Sequence, residues 1–176
     1  IITIVQDSTF KLVNDNNIEI IIVNKDKDKL GDSLSKLLVE SGVFKITNRP
    51  DLSQNEIEKT LLNYNQLLAL WIPENFSKQL TAKARSVSTE MLSEFDIIEN
   101  AADSPDEPTK ISLYYDPVLQ ENFRSSIANS IRSFLGALEN RLMIEQLYEE
   151  MGFEEIPENM EKKFFSNQVT IEQISA

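Results

Sequence analysis

Short runs of apolar residues recur along the chain with the lengths of buried β-strands. The run from Ile18 to Val23 is apolar on both faces, as expected of a strand that helices cover on both sides. A second run, Leu67 to Ile72, stops before Pro73 and is too short for a helix. Val43 to Thr47 and Ile111 to Tyr115 are two further short strand candidates, the second with Ile111, Leu113 and Tyr115 on one face. The pattern predicts four strands, with the Ile18 strand at the centre of a sheet.

Two helices are predicted in the first half of the chain. The first begins at Asp26 or Asp28, either of which could cap its free amides, and ends near Gly42, which suits a C-terminal stop. The second follows Ser53 and Glu56, a pair with the spacing of a capping box, in which each side chain satisfies an unpaired amide of the first turn.

A third helix is predicted from Pro73 to about Phe95. Pro73 suits a helix start, and the apolar residues that follow recur at helical steps. We expect the buried face of this helix to carry Phe76, Leu80, Ala84, Val87 and Met91.

The longest helical pattern runs from Asp116 to Met151. Asp116 could cap the first amides and Pro117 suits the first helical position. A helix of this length would be roughly 50 Å long, more than the width of a compact domain of this size. We expect its apolar stripe to be mostly core, with one end left for the membrane, a partner helix or a second copy of the chain. The stripe comprises Leu119, Phe123, Ile127, Ile131, Phe134, Leu138 and Leu142.

The alternation of strands and helices predicts an α/β fold. Right-handed crossovers place helices on the faces of a mixed, largely parallel sheet, and the long helix comes last in the chain. A further strand, Ile1 to Val5, is expected to pair antiparallel at an edge. The length suits one domain over residues 1–176.

Composition excludes several classes of function. Seventeen basic and 29 acidic residues leave a net charge of −12, which disfavours binding to nucleic acid. Cysteine and histidine are absent from the sequence, so thiolate nucleophiles, histidine bases and Cys/His zinc sites are excluded. We therefore expect no enzymatic activity, no catalytic residue and no cofactor.

Two acidic clusters raise the question of a cation site. Asp26, Asp28 and Asp32 lie around one helix start, and a hard cation such as calcium binds several oxygens of this kind. The spacing does not complete a calcium loop, so capping of the helix is favoured over metal binding. Asp103, Asp106 and Glu107 lie in an acidic, proline-containing loop, where a solvated loop is the favoured interpretation.

Three aromatic residues are candidates for contact with a ligand or partner. Trp71 lies near the carboxyl end of a predicted strand, an edge where open α/β sheets often bind ligands, although core packing explains it as well. Phe164 and Phe165 follow two lysines, a combination that suits the headgroup layer of a bilayer or a packed loop.

Three stretches resemble the large soluble domain of type-2 ABC transporter permeases. Ile18 to Gly42, IEIIIVNKDKDKLGDSLSKLLVESG, is similar to that domain's first strand, acidic turn and helix. Leu67 to Leu80, LLALWIPENFSKQL, resembles its strand leading into an Ile-Pro-x-x-Phe helix start. Ile111 to Leu142, ISLYYDPVLQENFRSSIANSIRSFLGALENRL, resembles its strand, Asp-Pro turn and long helix.

The resemblance implies a domain between two membrane helices of an exporter permease, on the extracytoplasmic side of the bacterial cytoplasmic membrane. The expected partners are an ABC ATPase subunit, a second or related permease, and the membrane next to both termini. The start at Ile1, without methionine, fits an excised piece. The alternative, suggested by Trp71, is a non-catalytic ligand-binding or sensor module of the bacterial envelope.

Overall fold

A computed structural model describes residues 18–64, 66–103, 109–153 and 155–160 of the chain. The predicted strand at Ile1 to Val5 and the candidate residues Phe164 and Phe165 lie outside these ranges. The main elements are β1 (Ile18–Asn24), α1 (Lys29–Glu40), β2 (Phe44–Asn48), α2 (Gln54–Tyr64), β3 (Leu68–Ile72), α3 (Phe76–Glu94), β4 (Ser112–Tyr115) and α4 (Glu121–Glu150).

These strands form one mixed, largely parallel sheet in the order β2-β1-β3-β4. β1 is parallel to both β2 and β3, whereas β4 pairs antiparallel with β3. The predicted fold class is confirmed, and so is the interior position of β1. Its residues Ile20 to Val23 are at most 3 % exposed, because helices cover both faces of the strand.

The two faces of the sheet carry different numbers of helices. α1, α3 and α4 cover one face and form a single core cluster with alternate residues of β1 and β3, namely Ile20, Ile22, Leu68, Leu70 and Ile72. α2 packs on the other face through Ile57 and Leu61, against Ile21, Val23 and Ala69. Each fully buried aliphatic side chain contributes about 1.5–3 kcal/mol of transfer free energy, so these two clusters are the main source of stability.

The long helix begins later than predicted. Asp116 does not cap it, because its Oδ1 accepts a hydrogen bond from the Val118 amide at 2.9 Å and its carbonyl accepts one from Leu119 at 3.0 Å. Asp116 and Pro117 therefore form a turn, and α4 starts five residues further on, at Glu121. With 30 residues it is about 45 Å long.

The apolar stripe of α4 is core, as expected. Ile127, Ile131, Leu138 and Leu142 are buried, and Phe123 and Phe134 pack against the same cluster. The stripe packs mainly on α3 and secondarily on α1, and so reaches the sheet largely through these two helices. Where the far end of α4 lies relative to both termini of the chain falls outside the described residues.

The buried face of α3 differs from the prediction in its second half. Phe76, Leu80 and Ala84 are buried as expected, but Val87 and Met91 are 37 % and 40 % exposed. Small polar residues are buried in their place: the hydroxyl of Ser88 donates to the Met143 carbonyl of α4 at 3.0 Å, and Thr89 bonds to the carbonyl of Arg85 within α3. The apolar pattern failed here because close packing of two helices favours small residues that can bond to the neighbouring backbone.

The capping box at the start of α2 is half formed. Glu56 Oε2 accepts from the Ser53 amide at 2.9 Å, as predicted, but the Ser53 hydroxyl donates to the same oxygen at 2.6 Å instead of accepting from a helix amide. These two hydrogen bonds hold the pKa of Glu56 below its usual range, the hydroxyl having the larger effect.

Gly31 occupies a position where no side chain fits. A Cβ atom there would lie 2.5 Å from Asn24 Oδ1 and 2.8 Å from the Cβ of Asp26. The start of α1 thus approaches the end of β1 too closely for any residue but glycine.

Gly31→Ala is expected to destabilise the chain by about 1–3 kcal/mol, because the new methyl group pushes the side chains of Asn24 and Asp26 away from the start of α1. Gly136→Ala is the matched control: nothing lies within 4 Å of a Cβ there, and α4 is helical at that point. The control should stabilise by about 0.5–1 kcal/mol through its better helix propensity. Urea unfolding of both variants measures the contrast, and equal effects would contradict the close approach.

Glu56→Gln is expected to lower the urea midpoint at pH 7. The lowered pKa of Glu56 means that its carboxylate stabilises the fold above its unfolded pKa of about 4.3, and that this contribution is lost as pH falls through the folded value. The difference from the unmodified chain should therefore shrink as the pH falls below the unfolded pKa and through the lowered folded pKa. Glu58→Gln changes the net charge equally at an exposed position of the same helix. A pH-independent deficit in Glu56→Gln would contradict this account.

Candidate functional site

The strongest polar cluster lies at the carboxyl ends of the two central strands. β1 ends at Asn24 and β3 at Ile72, and the amide of Lys25 donates to the Ile72 carbonyl at 2.9 Å. The segments that follow lead directly into α1 and α3. Because β1 and β3 are parallel neighbours, the N-termini of these two helices lie side by side at the edge where open α/β sheets often bind ligands.

The carboxylate of Asp26 joins these two helix starts. Its Oδ2 accepts from the Gly31 amide of α1 at 3.0 Å, and its Oδ1 accepts from the Ser77 amide of α3 at 3.1 Å. The Ser77 hydroxyl donates a short hydrogen bond to Oδ2. First-turn amides have no partner within their own helix, so one carboxylate satisfies an unpaired donor in each of two helices.

Ser77 completes the arrangement from the side of α3. Its hydroxyl oxygen accepts from the Leu30 amide at 3.1 Å, so two consecutive amides of α1 bond to Ser77 and Asp26. Ser77 is 5 % exposed. The predicted capping role thus belongs to Asp26, whereas the side chain of Asp28, at the N-cap position, makes no capping hydrogen bond.

The third acidic residue of the cluster, Asp32, bonds to the side chain of Asn24. Asn24 accepts from the Asp26 amide at 3.0 Å and donates through Nδ2 to Asp32 Oδ1 at 2.9 Å. In the described ranges no group of three acidic, histidine or cysteine side chains is placed to hold a metal ion. The arrangement therefore favours the capping interpretation. For the second acidic cluster, Asp106 and Glu107 lie outside those ranges.

An exposed ion pair borders the cluster. Lys27 and Glu74 lie on the two connecting segments and bond directly. The hydrogen bond to Glu74 raises the pKa of Lys27, and the same bond lowers the pKa of Glu74. Both side chains are well exposed, so solvent screens the attraction and the pair adds little to stability.

Trp71 lies on the opposite face of the sheet, beside α2. It is half-buried and packs against the cluster of that face together with Tyr114. Lys25 Nζ lies 5.7 Å from the centre of the indole ring and donates to the Pro50 carbonyl at 2.7 Å. The indole therefore has packing partners on the protein, and its contact with a ligand or partner stays a prediction, as it does for Phe164 and Phe165.

Two of the surface hollows formed by described residues lie along α4, and Trp71 lines neither of these two. A broad, open hollow near the end of α4 is lined by Glu145, Glu149 and Glu155 together with Tyr148 and Phe153, whose rings are 5.8 Å apart. A smaller hollow lies between α3 and α4, at Ala84 and Met143 among others. In neither hollow do the lining residues bring reactive side chains together at one point.

The sequence pattern indicates Asp26 as a capping residue but not Ser77. Ser77 is the second residue of α3, within the segment IPENFS, where a hydroxyl near a helix start is a usable signal. Its partner is 51 residues away in the sequence, so only the sheet order brings the two together.

No helix in the described ranges is long and apolar enough to span a bilayer.

No family model matches the sequence. No curated protein matches it either. Among solved structures, the fold is similar to one described as "a domain of a putative ABC type-2 transporter from Thermotoga maritima". The match has a TM-score of 0.45 and 13 % identity, and covers 85 % of this chain and 99 % of that one. A likeness at this level establishes no shared function.

Asp26→Asn is expected to destabilise the chain by about 2–4 kcal/mol, because the amide replaces an oxygen that accepts from Ser77 or Gly31 with a donor. Asp28→Asn, with the same change in net charge at an exposed side chain, should have little effect. Thermal unfolding with and without about 1 mM calcium separates capping from metal binding. A calcium-induced rise in Tm that Asp26→Asn abolishes would contradict the capping role.

Proposed function

We propose that this chain is the extracytoplasmic domain of an ABC exporter permease, standing outside the bacterial cytoplasmic membrane. One observation carries the proposal: the three stretches that resemble the permease domain fold as one unit. They supply β1 with α1, β3 with the start of α3, and β4 with most of α4. The strands β1, β3 and β4 are consecutive in the sheet, and the three helices share one of its faces.

Direct bonds join these stretches to one another. Asp26 of the first bonds to Ser77 of the second, and the Asp116 amide of the third donates to the Leu67 carbonyl of the second at 2.9 Å. α3 and α4 then pack along each other. Outside the three stretches lie β2 and α2, which add one edge and the opposite face, together with the parts of α3 and α4 that follow Leu80 and Leu142. The resemblance thus covers the structural centre of the domain and not scattered segments.

In this proposal the domain acts through shape and contact. The polar groups at the central edge are engaged in capping, and the absence of histidine and cysteine leaves no common nucleophile-base pair. ATP hydrolysis would belong to a partner ATPase on the cytoplasmic side. The domain would contribute to substrate passage or to contact with a second permease, with the membrane near both of its termini.

Cysteine labelling in the parent protein tests the location. The chain has no cysteine, so Lys36→Cys in a parent stripped of other cysteines provides one reactive site, on a side chain that is 75 % exposed. A membrane-impermeant maleimide should label it in intact cells, or in spheroplasts where an outer membrane is present. Ser88→Cys, at a position that is 0 % exposed, is the control for folding and should react only after denaturation.

Labelling of Lys36→Cys only after the cytoplasmic membrane is opened would contradict the proposal. So would a parent reading frame without one hydrophobic span before the domain and several after it. In that case the ligand-binding or sensor module becomes the better hypothesis.

A further inference from the structure

Among the described residues, no strand pairs with the outer edge of β4. The Asp116 amide donates toward β3, and with Ala69 opposite Tyr114 the antiparallel alternation turns Ser112 and Tyr114 toward β3 as well. The amides and carbonyls of Leu113 and Tyr115 therefore point away from the sheet. Within the described residues β4 is the last strand on this side, and nothing pairs with it there.

This edge lacks the features that usually prevent strand pairing. The four residues of β4, SLYY, include no charge and no proline. The opposite edge strand, β2, carries Lys45, which pairs with Glu19, and is followed by Arg49 and Pro50. Charged residues and proline are common means of protecting an edge, so β2 is protected and β4 is not.

The charges that flank β4 are of opposite sign and equally spaced. Lys110 precedes Leu113 by three residues and Asp116 follows it by three. A two-fold axis through Leu113 would therefore place each Lys110 opposite Asp116 of a second copy. We propose that the β4 edge is a pairing surface for a second copy of this chain, joined antiparallel about Leu113.

The same register matches the remaining side chains. Leu113 meets its own equivalent, and Ile111 meets Tyr115 of the second copy, a residue that is 44 % exposed in the single chain. On the other face of the sheet Ser112 meets Tyr114. Directly opposite apolar, aromatic and unlike-charged pairs each stabilise an antiparallel ladder. The outward groups of Ile111, Leu113 and Tyr115 supply six backbone hydrogen bonds across the axis.

Neighbouring registers are poorer. An axis through Tyr114 would place Pro117 in the ladder, where it has no amide to donate. A parallel pairing in register would set Lys110 against Lys110 and Asp116 against Asp116.

The short strand makes the contact weak and transient, with a dissociation constant in the range of about 10 μM to 1 mM. The inference depends on β4 and its flanks, and not on the proposed transporter function.

A charge exchange between copies tests the register. Lys110→Glu gives two acidic flanks and Asp116→Lys gives two basic ones, so each variant alone should weaken self-association by at least about tenfold. An equimolar mixture restores both unlike pairs and should recover a heterodimer. Sedimentation equilibrium of the 176-residue chain and each variant, from about 10 μM to 1 mM, measures the association.

Two further variants guard against misfolding and non-specific charge effects. Asp116→Lys removes the carboxylate that bonds to the Val118 amide, so Asp116→Asn, which keeps an oxygen acceptor, provides a milder change that should weaken association less. Lys29→Glu alters the net charge as Lys110→Glu does, at an exposed site on α1, and should change the association less.

Recovery of the heterodimer by the mixture, with concentration-dependent shifts of the Leu113 and Tyr115 amide resonances, supports the proposal. A chain that stays monomeric to about 1 mM overturns it. So does a dimer indifferent to both charge variants, because it would use another surface. Strong exchange protection of the Leu113 and Tyr115 amides in a monomer also overturns it, since the chain itself would then cover the edge.

Discussion

The carboxylate of Asp26 connects three elements that the sequence keeps far apart. It follows the central strand β1, accepts from the start of α1 and accepts from the start of α3. Without it, the Gly31 and Ser77 amides would lose their acceptor, and the like partial charges of the two helix starts would face each other. The close approach that it permits is also what requires glycine at position 31.

The position of α3 then determines that of α4. α4 makes its most extensive contacts with α3, and the Ser88 hydroxyl bonds to the Met143 backbone where the two helices meet. The order of dependence thus runs from the end of β1, through Asp26 and Ser77, to the longest helix of the domain. The polar groups at the carboxyl ends of β1 and β3 bond to helix amides and so position α1 and α3. Among the described strands, β4 forms the edge of the sheet opposite β2, and its own four residues carry no charge and no proline.

The sequence was most informative where one physical requirement dominated. Four apolar residues in succession, Ile20 to Val23, could only be satisfied by burial on both faces, and β1 is indeed an interior strand. Prediction was weaker where local and tertiary bonds compete. Asp116, followed by Pro117, matched the sequence pattern of a helix cap. Its carboxylate instead accepts from the Val118 amide and forms a turn.

Two features could not be predicted from the sequence because they depend on distant partners. Ser77 and Asp26 are brought together only by the parallel pairing of β1 and β3. The second half of α3 buries Ser88 and Thr89 because α4 lies against it. The spacing of apolar residues along α3 alone predicts instead that Val87 and Met91 are buried. Trp71 illustrates the same limit: the sequence placed it near a strand end, whereas the sheet face that it occupies followed only from the strand pairing and from α2.

Amide hydrogen exchange at Gly31 and Ser77 tests the central role of Asp26 most directly. Amides in the first turn of a helix usually exchange fast, because they have no partner within the helix. The account predicts that these two amides are protected nearly as well as those of β1 and β3, and far better than the amide of Asn55 in the first turn of α2. Exchange at Gly31 and Ser77 as fast as at Asn55 would contradict it.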